Sequence, residues 1–292
     1  MKKHFKRPLS LLLAILLCIG MLPVSASAAD LTGSMSMIDI KGRDHALSSS
    51  LPAPFGGYAS EKYTMLRITD SSTGATKTAY CLELGISTYY QEQYQPSADY
   101  PQFSQEQKEL INAVLTLGYN TDTGVKYGGS PEDEYIATQI LVWLIAHKQL
   151  GTQYENQIVS EFTVSSPGAK AVFTKLRKAV MDYRTIPSFA CEDSKYASSH
   201  TYELKYNAQT GKYETTLTDS NGVLSEFSFS QPGVSFARTG NQLKISSEKT
   251  SFSTVSGEKK LPSSIAGVVK GASRYWLNEH YQNVVTFEVG GE

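Results

Sequence analysis

Three short segments hold residue types from which side-chain chemistry is built. Cys81 stands in an apolar stretch, Tyr80-Cys81-Leu82-Glu83-Leu84. A helical pattern carries Ala137-Thr138-Gln139-Ile140-Leu141-Val142-Trp143, and near the end the chain reads His280-Tyr281-Gln282-Asn283-Val284-Val285. A deprotonated cysteine is a strong nucleophile, but a cysteine also pairs with a second one or packs as a small apolar group. From the residues alone three readings stand side by side. Cys81 is a half-cystine with Cys191, an inert buried thiol, or the nucleophile of a hydrolase or transglutaminase-like dyad with His147, His200 or His280. No recognised signature of a cysteine enzyme surrounds Cys81, and such enzymes usually present the nucleophile at a helix N-terminus, whereas this segment reads as a strand. The five histidines are scattered and no C-x-x-C occurs, so no metal site is expected. Trp143 reads as core, because Ile136, Ile140, Trp143 and His147 share one helix face. Gln139 on a helix and Gln282 in an alternating strand would ordinarily face solvent.

The elements that must position these residues run β, then α, then β. Residues 34–41, 62–69 and 76–84 read as strands, with a hairpin turn at 70–75. Three helices follow. The first starts at Ser104, where Gln107 completes a capping box, and ends near Gly118. The second starts at Ser130 with Pro131 at the first helical position and acids in the first turn, and runs to about Gln149. The third starts near Ser166-Pro167 and carries Val172, Phe173, Leu176, Val180 and Met181 at helical spacing. Strand patterns return at 202–206, 213–217, 224–229, 242–246 and 284–289, with a hairpin loop at 207–211. The expected fold class is therefore α+β: a β-sandwich or barrel core with an inserted helical subdomain. Strands before and after the insertion would share a sheet and bring Cys81 close to the C-terminal segment.

Taken together and in this order, the three segments resemble the thioester domains, of the TQxA type, of Gram-positive surface adhesins. The family pattern is an aromatic-Cys-apolar strand, a helix with Thr-Gln-x-Ala-apolar-Trp, and an apolar-Gln-x-x-apolar strand. Thr138-Gln139-x-x-Val142-Trp143 is the most diagnostic part, with Leu141 where the family has Ala. Tyr281-Gln282-x-x-Val285 fits the last motif, with Thr286 in its sixth position where an apolar residue is usual. The resemblance spans about residues 35 to 288. It implies that the Cys81 thiolate attacks the carboxamide of a glutamine, that ammonia leaves, and that an internal thioester remains. It makes Gln282 the acyl donor, with Gln231, in Phe229-Ser230-Gln231-Pro232-Gly233-Val234, as its rival; there Ser230 stands where the family has an apolar residue. It makes Thr138, Gln139 and Trp143 a support motif. A carboxamide is a poor electrophile, so donors must stabilise the oxyanion, and apolar walls must keep water from the product. Tyr80, Tyr281 and Trp276, together with Trp143, are the wall candidates.

Composition bounds the setting. Residues 1–28 read as a secretory signal peptide: Lys2, Lys3, Lys6 and Arg7, an apolar run from Leu9 to Leu22, and the small-residue site Ala26-Ser27-Ala28. Cys18 follows Leu16 and Leu17, not the small residue of a lipoprotein box, and is lost on processing. Removing the 28 residues leaves 264 of the 292 and takes away four cations and no acid, so the formal charge moves from −1 to −5. That argues against nucleic acid or an anionic membrane as partner. Hydrophobic content of 40% and 18 tyrosines describe a folded chain, not a disordered one. The expected organisation is a signal peptide (1–28) and a thioester domain (29–292), divided into a β part (29–100), a helical insertion (101–190) and a second β part (191–292). The expected function is a secreted or cell-surface adhesin domain that captures an amine covalently, a lysine of a host surface or matrix protein. This is one turnover per molecule and not enzyme action, and it needs no cofactor. The alternatives are a disulfide-stabilised binding module and a secreted cysteine enzyme. The end at Gly290-Gly291-Glu292 shows no basic tail, apolar anchor or LPxTG-type signal. A chain released, held by a partner or truncated relative to its gene is the corresponding expectation.

Overall fold

The computed structural model describes residues 32–45, 48–56, 61–89, 91–190, 202–249 and 255–290. The signal peptide, Cys191 and His200 lie outside the described residues. Six strands form a closed barrel: β1 (Gly33–His45), β2 (Glu61–Asp70), β3 (Thr76–Cys81), β4 (Gln93–Ser97), β11 (Gly271–Leu277) and β12 (Val284–Val289). Their order around the barrel is β1-β2-β3-β12-β11-β4, antiparallel throughout. The expected sharing of a sheet across the insertion is present, since β12 pairs with β3.

Four helices follow β4: α1 (Gln105–Leu117), α2 (Pro131–Ala146), α3 (Glu155–Phe162) and α4 (Pro167–Arg184). The α1 capping box is formed, with the Gln107 N–H donating to Ser104 Oγ at 3.2 Å and the Ser104 N–H donating to Gln107 Oε1 at 3.1 Å. Gln107 also donates from Nε2 to the carbonyls of Ile145 and Ala146, at 3.0 and 3.1 Å. These are end-of-helix acceptors that α2 itself cannot satisfy. Every residue of α2 from 133 to 145 is buried. A helix apolar on all sides belongs in the middle of a core, and α2 packs against α1, α4 and the barrel strands β2 and β3.

The second β part divides. β5 (Lys205–Asn207), β6 (Lys212–Thr218), β8 (Val234–Thr239) and β9 (Gln242–Ser247) form one sheet in the order β5-β6-β9-β8. β7 (Phe227–Ser230) and β10 (Ser256–Lys259) form a second sheet. This accessory unit has its own small core of Leu217, Leu224, Leu243 and Ile245. Only β11 and β12 return to the barrel, so the segment from 191 on is not one β part. Boundaries shift elsewhere too. The strand expected to reach 84 ends at Cys81, residues 224–226 form a 3-10 turn, and residues 202–204 precede β5 without joining it. α2 stops at Ala146, three residues short, and the next residue but one, Lys148, takes a positive φ of 57°.

The barrel closes where β1 meets β4, with Gly33 opposite Tyr94. A Cβ on Gly33 would stand 2.6 Å from both Ile68 Cγ2 and Trp276 Cζ3. The Trp276 ring is fully buried and has nowhere to move. Gly33→Ala is expected to cost about 1–3 kcal/mol as an overpacked core site, read as a lower midpoint in urea. An unchanged midpoint would show that the closure tolerates a side chain.

Candidate functional site

Cys81 is the last residue of β3, free and buried. The pairing of β3 with β12 sets Cys81 opposite Val284, Tyr80 opposite Val285 and Ala79 opposite Thr286. Val284 in turn lies opposite Trp276 on β11, and Trp276 opposite Pro96 on β4. Cross-strand partners point their side chains to one face of a sheet. Cys81, Val284 and Trp276 therefore share a face, and Trp276, 1% exposed, walls the thiol's row. Its indole N–H donates to Thr286 Oγ1 at 3.0 Å, which satisfies its polar end.

Gln282 lies in the turn before β12 and is 4% exposed, so the expectation of a solvent-facing glutamine is overturned. The turn is held to the segment after Cys81 by main-chain bonds: Leu82 N–H to Asn283 O at 3.0 Å and Gln282 N–H to Ser87 O at 3.1 Å. Gln282 Nε2 donates to Glu83 O, two residues from the cysteine. The other glutamine of the motifs reaches the cysteine itself. From α2, Gln139 accepts the Cys81 N–H on Oε1 at 2.8 Å and donates from Nε2 to Cys81 O at 3.0 Å. It is 2% exposed, which again overturns the solvent-facing expectation. The end of β3 has run out of strand partners here, and the carboxamide satisfies both main-chain groups that the strand leaves unpaired.

Thr138 fixes the helix that carries Gln139. Its hydroxyl accepts the Tyr119 N–H at 3.1 Å and donates to Glu134 O at 2.7 Å. Gly118 is required beside it, since a Cβ there would lie 2.7 Å from Thr138 Cγ2. Trp143 is buried and stacks on Phe162 of α3, ring centroids 5.1 Å apart. It is a packing residue of the helical unit. Tyr80 stacks on Tyr135 of α2, centroids 5.0 Å apart, and its hydroxyl donates to Tyr119 O. Neighbouring strand residues face opposite ways, so Tyr80 backs the strand against the helix and does not wall the thiol. Tyr281 lies at the mouth, half-buried, with its ring 4.7 Å from that of the exposed Tyr89. Gln231 follows β7 in the accessory unit, whose sheet pairs with neither β3 nor β12.

Three residues of the site escaped sequence reasoning. The Glu83 carboxylate accepts Asn283 N–H at 2.8 Å, Asn283 Nδ2 at 3.1 Å and the Tyr100 hydroxyl at 3.1 Å, which pins the Gln282 turn from below. Asn278 donates from Nδ2 to Gln93 O at 2.9 Å and accepts His280 N–H and Tyr281 N–H on Oδ1, at 2.8 and 3.0 Å. The third is Tyr94, fully buried with no partner for its hydroxyl. An acid two residues after a cysteine in an apolar run was the one available signal for Glu83; Asn278 and Tyr94 left none.

Burial holds the Cys81 thiol well above its ordinary pKa, with Glu83 pushing the same way. The thiol is therefore protonated at neutral pH. Burial lowers the His147 pKa, and its Nε2 accepts the Leu84 N–H at 3.2 Å, so that nitrogen is committed to the main chain. His280 is exposed. Among the described residues no group of three His, Cys, Asp or Glu could hold a metal. A cleft of about 590 Å³ opens between α4 and the accessory unit, but none of the candidate residues lines it.

Cys81 is thus a free buried cysteine bonded through its main chain to Gln139, with the Gln282 turn tied to the segment that follows it. Residues 78–181 match the family model of the thioester domain. The matched stretch contains Cys81 and the Thr138-Gln139 helix; Gln282 lies beyond it. In fold, the chain is similar to the thioester domain of the Staphylococcus aureus TIE protein, at 14% identity and a TM-score of 0.47. The likeness covers 87% of this chain and 92% of that one. No curated protein matches the sequence. The thioester-domain resemblance and the α+β class stand. Among the described residues no helix is long and apolar enough to cross a membrane.

Proposed function

We propose that this chain is an adhesin-type domain, exported through its 1–28 leader, in which Cys81 and Gln282 form an internal thioester that captures an amine. The observation that carries the reading is the free, buried Cys81 held by Gln139 while the Gln282 turn is tied to the two residues that follow it. In forming the bond, Cys81 Sγ joins the Gln282 side-chain carbonyl carbon, the C–N bond breaks, and the thiol proton leaves with ammonia. In capture, a lysine amine of a surface or matrix protein attacks that carbon. Cys81 departs as the thiol and Gln282 becomes half of an amide. Each chain reacts once, so the domain is a reagent and not an enzyme. Holding two groups in one place replaces a bimolecular encounter and supplies much of the rate.

Intact mass of the purified mature chain tests this. The expected mass is one ammonia short of the reduced value, with Cys81→Ala at full mass. A deficit of two hydrogens reversed by reductant would establish a Cys81–Cys191 disulfide instead. With a lysine-bearing partner the product is one conjugate per chain, resistant to boiling and reductant. Only the neutral amine attacks, and free lysine titrates at about 10.4, so conjugation accelerates as pH rises through the alkaline range. Product beyond one equivalent, or a rate that follows a histidine near neutrality, would instead mark a cysteine enzyme.

A further inference from the structure

The least explained polar atom near the site is the Tyr94 hydroxyl. Tyr94 is 0% exposed, and its oxygen is buried without a hydrogen-bond partner. A buried hydroxyl left unpaired costs about 1–3 kcal/mol, and Phe would fill the same space without that cost. An unpaired buried group in a native structure calls for a reason, and a catalytic role is one.

The barrel register says where that partner would be. Cys81, Val284, Trp276 and Pro96 form one row across β3, β12, β11 and β4. Tyr94 lies two residues before Pro96 on β4 and so shares the face of this row; Glu83 follows β3, and Asn278 and Gln282 lie in the turn between β11 and β12. Hydrogen bonds link these loop residues to β4. Gln282 Nε2 donates to Glu83 O, and Asn278 ties the Gln282 turn to β4 at Gln93, the residue before Tyr94. Gln93 and Gln95 are exposed and Tyr94 between them is buried, so its ring points into the barrel. Gly33, opposite Tyr94, leaves the inner face open there to Trp276. Gln282 Nε2 is engaged with Glu83 O, which leaves the Gln282 carbonyl oxygen as the atom on which charge would develop.

We propose that the Tyr94 hydroxyl is the oxyanion donor of this site: it donates to the Gln282 side-chain oxygen as Cys81 attacks, and again as an amine attacks the thioester. The inference rests on the thioester reading above. As the Sγ–C bond forms, the electron pair of the carbonyl moves onto that oxygen. It returns when the C–N bond, or later the C–S bond, breaks. A donor already in place and shielded from water stabilises this charge at both stages. Burial, with Cys81 as the next contributor, raises the Tyr94 pKa. The phenol therefore stays protonated across the range in which amines lose their proton.

Tyr94→Phe tests the assignment, because it removes one atom that bonds to nothing in the resting fold. Two measurements are made on wild-type and variant chains: the ammonia-deficient fraction by intact mass over time, and the rate of methylamine addition to the closed fraction. Loss of an oxyanion donor slows acyl transfer by about 100-fold or more. The variant should be only partly closed on purification and react with methylamine about 100-fold more slowly, while Tyr94→Phe leaves the melting temperature unchanged or higher in a Cys81→Ala background, where no thioester braces either chain. Full closure with a wild-type methylamine rate overturns the proposal. So does a slower rate accompanied by a lower melting temperature in the Cys81→Ala background, which would make Tyr94 a packing residue. A wild-type chain with no ammonia deficit removes the thioester reading itself, and this proposal with it.

Discussion

Gln282→Ala is expected to return the mature chain to its full calculated mass, whereas Gln231→Ala leaves the ammonia deficit in place. Acyl transfer needs the thiol and the carboxamide within van der Waals reach, and the barrel register brings only one of these two glutamines towards Cys81. Gln282 lies in the turn stitched to Leu82, Glu83 and Ser87. Gln231 lies in the accessory unit, at the end of a strand that pairs with β10. The effect is all or none, since the other carboxamide beside Cys81, that of Gln139, is committed to the cysteine's main chain. Methylamine should then leave its label on the peptide containing Tyr281. A label on the peptide spanning 229–236 would move the acyl donor to Gln231 and leave the thioester itself standing.

Gln139→Leu should lower stability by about 2–6 kcal/mol, because it strips partners from two buried main-chain groups at about 1–3 kcal/mol each. The groups are the N–H and C=O of Cys81, bonded to Gln139 at 2.8 and 3.0 Å. Leucine is one side-chain atom shorter and branches one carbon earlier, so a small packing loss adds to the polar one. The closed fraction should fall as well, since the nucleophile's own backbone is no longer fixed. Urea unfolding and intact mass read the two effects separately. A variant as stable as wild type and fully closed would show that the clasp is dispensable.

Much of the fold was legible because the signals were local. Ser104 with Gln107, and Ser130 with Pro131, mark helix starts that depend on residues within one turn, and both helices begin there. The hairpin turn at 70–75 holds Gly74 at a φ of 70°, a conformation that glycine adopts without strain. What was missed depends on partners far along the chain. β4 is five residues long and owes its strand to pairing with β1 and β11. α3, eight residues long, is too short for its periodicity to stand out. The burial of Gln139 and Gln282 could not be read from polarity, because each is buried by serving main-chain groups of β3 or the segment after it. The same holds for Tyr80, whose place beside the cysteine in sequence put it on the opposite side of the strand.

If the proposed Cys81–Gln282 thioester forms, the pairing of β3 with β12 has a consequence for what happens after capture. A bond from Cys81 to Gln282 encloses about 200 residues, and the chain-entropy estimate for a cross-link of that span is about 5 kcal/mol. All four helices and the accessory unit lie inside the enclosed stretch. Attack by a target amine cuts this internal clasp in the same step that makes the external bond. The waiting molecule is therefore the braced one, and the molecule that has reacted is held by its core and its barrel hydrogen bonds alone. On the proposed reading, each capture event would spend a store of mechanical and thermal resilience, and reacted copies should melt below unreacted ones even where the target touches nothing but the one amide.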